Sequence, residues 1–155
     1  MLRLLSRSAA TWTVVGLASG LYYREMTKAN GLGATRDLAG TQLSVVHTHT
    51  LTLGTMMLLV LLALVVSLRD LATDRAFRWG VWAWQGGLAV TTGAMLVKGT
   101  MQVTGASGFD SPAIAGISGL GHMTLTAAFV LLFVGLSRAV REVSTPQPSR
   151  EKVEA

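Results

Sequence analysis

Apolar and polar positions are unevenly distributed along this chain. Charged residues gather near 3–7, 24–37, 69–78, 98–110 and 138–154, and the runs between them carry none. A soluble domain places polar positions on every element, because its core needs a wet coat. Long charge-free runs between charged joints suit a bilayer as solvent. Four such runs predict four helices. The first is Ala9–Tyr23, extended by Ser8 and by the snorkelling side chains of Arg7 and Arg24. The second is Leu43–Leu68, with a very apolar half from Met56 to Val66. The third is Trp79–Val97, whose start carries Trp79, Trp82 and Trp84, as at a headgroup boundary. The fourth lies between Asp110 and Arg138, with Pro112 suited to a first helical turn.

The pattern therefore predicts an all-α protein, an integral membrane four-helix bundle occupying residues 1–143, with spans near 8–24, 43–68, 79–98 and 113–137. Residues 144–155, with Pro146, Pro148 and alternating charges, read as a disordered cytoplasmic tail. The joint 24–42 carries turn material at Asn30, Gly31, Gly33 and Gly40. Glycines 116, 119, 121 and 135 permit close helix contact in the fourth span.

Composition sharpens this picture. Charged residues make up 14% of the chain, against about 25% in an ordinary soluble domain. The net charge of +5 does not point to nucleic acid, because the basic residues border apolar runs and are explained by anionic lipid and by orientation. With the N-terminus inside, inner segments hold nine basic residues: Arg3, Arg7, Arg69, Arg75, Arg78, Arg138, Arg141, Arg150 and Lys152. The outer joints hold four: Arg24, Lys28, Arg36 and Lys98. The positive-inside rule gives N-in and C-in, with a bacterial inner membrane as the natural setting. The absence of cysteine excludes disulfides, thiolate metal sites, iron–sulfur centres and covalent haem attachment.

The three histidines all fall inside predicted spans. His47 and His49 lie near the outer end of the second, and His122 near the outer half of the fourth. Both helices run inward, so the rings share a layer about 6–12 Å below the helix starts. Two residues apart, His47 and His49 point about 200° from each other, so one of them can face His122 while the other meets a different neighbour. Intramembrane histidines face protein or water. Two imidazoles on facing helices can ligate a b-type haem, with His122 and His47 as the first pair and His49 as the alternative second ligand. Arg24, Lys28 or Lys98 could meet the propionates. Electron transfer, sensing and haem handling are the corresponding roles. A copper or zinc site would use His47 or His49, His122 and Glu25. A third reading is non-enzymatic assembly, in which the histidines only bridge helices; a small transporter is a fourth. The bilayer is the expected partner, and a homodimer or a membrane redox protein are further partners. No Gly-rich phosphate loop and no His-Glu-x-x-His is present.

Several short motifs together resemble the small bacterial membrane family catalogued as domain of unknown function 2871. They are Tyr22–Tyr23–Arg24–Glu25 with Asn30–Gly31, and His47–Thr48–His49 followed by Leu51, Leu53 and Gly54. Lys98–Gly99 with Gln102–Val103, and Ile114–Ala115–Gly116–Ile117 with Gly121–His122, complete the set. The resemblance spans roughly residues 10–138 and implies a compact four-span protein. It also directs attention to His47, His49, His122, Glu25 and Lys98. A looser similarity, through His-x-His, is to membrane helix bundles with haem-binding histidines, including the haem–copper oxidase group. Three histidines in one copy do not supply both a low-spin haem and a three-histidine copper site.

Overall fold

A computed structural model describes residues 1–32 and 40–144. The turn residue Gly33, the outer charge Arg36 and the tail from residue 145 lie outside them. The described residues form four long helices and no strand. Helix α1 is Leu2–Ala29, α2 is Gln42–Ser67, α3 is Arg75–Thr104 and α4 is Pro112–Ser144. Two of them, α2 and α4, are long and apolar enough to cross a bilayer. Helices α1 and α3, at 28 and 30 residues, have the length for it but interleave Thr, Ser, Gly and Gln with their apolar positions.

Helices α1, α3 and α4 overrun the charge-free runs that predicted them, because arginine and lysine are good helix formers and the ladder continues past the apolar zone, whereas α2 keeps to its run. Helix ends follow local chemistry. Asp74 caps α3, its Oδ1 accepting from the Phe77 N–H at 2.8 Å. Gly105 ends α3 in the left-handed region, φ 67°, which a side chain would resist. Ser111 precedes Pro112 at the start of α4 and accepts from the Ile114 N–H at 3.5 Å. Gln102 of α3 reaches across to accept from the Gln42 N–H at 2.8 Å, supplying the first turn of α2 with a partner that its own sequence lacks.

Helix α2 is not uniform. Residues Thr50–Met56 form a π-helix, and the Met57 N–H bonds to the Thr52 carbonyl, five residues back. Two tryptophans flank this stretch. Gly54 lets the Trp12 ring of α1 lie against the backbone, where a Cβ would stand 2.6 Å from it. The Trp84 indole N–H of α3 donates to the Leu53 carbonyl at 2.9 Å. Trp84 is fully buried, unlike Trp79 and Trp82, so the three tryptophans are not one boundary belt.

The packing follows the glycines. Gly16 of α1 abuts Thr50 and Leu51 of α2, Gly99 of α3 abuts the Leu43 backbone, and Gly80 and Gly87 of α3 abut Leu132 and Leu125 of α4. In α4, Gly121 and Gly135 are contact glycines, against Thr91 and Phe77, whereas Gly116 and Gly119 face open space. Helix α4 packs on α3 and on the short turn Arg69–Ala72. Its partnership with α3 is the most extensive in the molecule. One core runs from Leu5 and Ala9 through Leu58, Leu61, Trp84 and Leu88 to Leu125 and Leu132. A second, smaller cluster of Leu43, Val46, Met95 and Val103 lies at the opposite end.

Candidate functional site

The two histidines of α2 flank the stripe that faces α3. Leu43 and Val46 occupy that stripe, packed with Met95 and Val103. His47 lies on the α1 side, where Gly20 would place a Cβ 3.7 Å from the His47 Cβ. That contact leaves no gap between α1 and α2 for a planar group. His47 Nε2 is 3.3 Å from Thr48 Oγ1, and among the described residues its buried Nδ1 has no partner.

His49 projects about 200° from His47, on the flank away from α1. Its Nδ1 lies 3.0 Å from the Val45 carbonyl. Around α3, the contacts to the other helices come in a definite order. Gln85 accepts from the Trp12 indole of α1 at 2.7 Å, Trp84 meets α2, and Gly80, Gly87 and Thr91 meet α4. Helix α2 is therefore between α1 and α4, and the flank carrying His49 opens toward α4.

His122 takes the matching position on α4. Phe129 sets its edge against Trp84, centroids 4.7 Å apart, which fixes that flank of α4 as the one turned toward α2. His122 precedes Phe129 by seven residues, about two turns, and so shares its flank. His122 Nδ1 lies 2.9 Å from the Ser118 carbonyl, and the side chain is exposed. Its neighbour Gly121 presses on Thr91 of α3. By helical register, His49 and His122 thus lie on the flanks of α2 and α4 that turn toward each other beside α3. Thr91, 1% exposed, lies at this level, and its hydroxyl has no hydrogen-bond partner among the described residues.

In both rings the tautomer follows from chemistry. A main-chain carbonyl only accepts, so Nδ1 of the neutral ring carries the proton and Nε2 keeps its lone pair. That is the state in which an imidazole ligates a metal, its other nitrogen held by a carbonyl.

Glu25 and Lys98 lie toward the same end of the bundle as His47 and His49, where Tyr22 reaches Thr100 and Gly99 abuts Leu43. Glu25 is 3.7 Å from both Arg24 and Lys28, all three well exposed at the end of α1. Lys98 pairs with Asp110 at 3.1 Å. All three cations proposed for propionates therefore already face carboxylates of this chain. Among the described residues, no three His, Asp or Glu side chains gather as a metal-holding group, so Glu25 does not complete a site with the histidines. Sequence reasoning missed the Trp12–Gln85 and Trp84–Leu53 bonds. The paired sequence signals, Gln85 beside Trp84 and Gly54 after His49, become informative only once the helices are side by side.

Together these features define an all-α protein whose described residues form four long helices, two of them long and apolar enough to cross a membrane. Residues 1–139 match the family described as "Protein of unknown function (DUF2871)", and the chain belongs to that family. No curated protein and no solved structure matches the chain.

Proposed function

We propose that this chain is a four-span protein of the bacterial inner membrane, N-in and C-in, that binds b-type haem between α2 and α4. His49 and His122 would hold its iron in this reading. One observation carries it. Both rings anchor Nδ1 on the carbonyl four residues earlier, at 3.0 and 2.9 Å, an arrangement that in the neutral ring leaves Nε2 available to a metal. Helices α2 and α4 each pack on α3 and have no extensive contact with one another, so a ring held between the two imidazoles would not have to displace a packed α2–α4 seam. His47, pressed against Gly20, serves the α1–α2 contact instead. Bound haem would supply one-electron redox chemistry; the protein's part is to orient two imidazoles and keep the ring in an apolar setting.

The test is the absorption spectrum of the full chain purified in mild detergent, oxidised and reduced, with and without added haem. The expected result is a low-spin spectrum that is lost in His49→Ala and in His122→Ala but kept in His47→Ala. A colourless protein that takes up no added haem, or a spectrum indifferent to His49 and His122, rejects the reading.

A further inference from the structure

The opposite end of α3 carries a second feature that the haem reading does not use. Arg75, Arg78, Trp79 and Trp82 line a cavity of about 660 Å³. Their spacings of three, four and seven put all four on one stripe of the helix. The two indoles are strongly exposed, Trp79 at 69% and Trp82 at 55%, while Trp84 just beyond is buried. The two guanidinium groups are exposed, and neither makes an ion pair or side-chain hydrogen bond among the described residues. The nearest carboxylate in sequence, Asp74, is already engaged by Phe77 and Arg138. The stripe therefore presents two uncompensated planar cations at the start of the helix, followed within two turns by two amphipathic rings.

We infer that this stripe is a binding site for an anionic phospholipid, its phosphate held by Arg75 and Arg78 and its glycerol and upper acyl region laid against Trp79 and Trp82. The inference rests on the reading of the chain as a membrane protein. Guanidinium forks match phosphate oxygens in pairs, which a lysine point charge does not. Indole rings favour the zone where one edge is wet and one face apolar. A free phosphate would use the arginines but gain nothing from two exposed tryptophans, so the apolar walls select the lipid. A second basic cleft, formed by Leu2, Arg3, Ser6, Arg7, Leu62 and Val66, has no aromatic wall and provides an internal control.

The experiment uses the full chain in phosphatidylcholine vesicles and in detergent, with phosphatidylglycerol as the probe. Resistance of the vesicle-bound protein to alkaline extraction tests the membrane reading separately. In detergent, native mass spectrometry counts retained phosphatidylglycerol against phosphatidylcholine. The expected result is selective retention that falls about tenfold or more in Arg75→Gln/Arg78→Gln. Trp79→Ala/Trp82→Ala is expected to lower retention while leaving its salt dependence. Arg3→Gln/Arg7→Gln should change it little. Equal retention of both lipids, an unchanged Arg75/Arg78 variant, equal losses in the two arginine pairs, or full displacement by inorganic phosphate would each overturn the site. Arg75, Arg78, Trp79 and Trp82 are exposed on α3 and Arg3 and Arg7 on α1, so melting temperatures close to wild type are expected and are checked alongside.

Discussion

The indole N–H of Trp84 donates to the main-chain carbonyl of Leu53 at 2.9 Å, tying the buried centre of α3 to the π-helical stretch of α2. A π-turn widens the backbone and misaligns its ladder, so a lateral donor at that level has more to offer than one beside a regular helix. Trp84→Phe keeps most of the ring volume and removes the donor. The expected cost is about 0.5–2 kcal/mol, read as a shift in the unfolding midpoint in detergent. An unchanged midpoint would mean that the carbonyl finds another donor without help from α3.

Glycine contacts should separate sharply by position. At Gly99 an added Cβ would meet the backbone nitrogen and Cα of Leu43, which have nowhere to go. Gly86, on the same helix, has nothing within 4 Å of that position. Gly99→Ala is expected to destabilise by about 1–3 kcal/mol or to prevent folding, through overpacking. Gly86→Ala should be neutral or stabilising by up to about 1 kcal/mol, because alanine is the better helix former. Thermal melts of the two purified variants decide it.

His47 should prove dispensable for any cofactor and nearly so for stability. Its buried Nδ1 is without a partner among the described residues, and an unpaired buried nitrogen is a cost the protein carries. His47→Leu replaces it with an apolar group of similar bulk. The melting temperature is expected to stay level or rise slightly, with the haem spectrum intact. A large fall in either would show that His47 has a partner in the working protein.

Asp74 makes acid stability testable. The Phe77 N–H, and then the Arg138 guanidinium at 3.2 Å, hold its carboxyl below the usual carboxylate range, against the opposing effect of burial. A lowered folded-state pKa contributes stability that is complete above the unfolded value near 4 and is lost as pH falls through the lower folded value. Asp74→Asn keeps a capping oxygen but no charge. Its deficit against the parent chain should be largest near neutral pH and shrink as the solution is acidified below about pH 4. Chemical unfolding of both proteins across that range provides the comparison.

Much of this architecture is legible in the amino-acid order. Charge-free runs located all four helices, and Pro112 marked the start of α4 because its ring tolerates just that turn. The two-residue spacing of His47 and His49 showed that they face apart. What the order could not give was which of them meets α4, since that depends on α2 lying between α1 and α4 around α3. Helices α2 and α4 each pack on α3, and by helical register His49 is on the flank of α2 away from α1. The π-helix was equally hidden: Thr-Leu-Thr-Leu-Gly-Thr reads as ordinary helix in one dimension, and its distinguishing partners, Trp12 and Trp84, lie on other helices.

Helix α4 leans on α3 and on one short turn. During synthesis, then, the first three helices can settle against one another before the last has left the ribosome. Until it arrives, the Gly80–Gly87–Thr91 side of α3 is bare. Any task that needs His122 therefore waits until α4 has docked on α3.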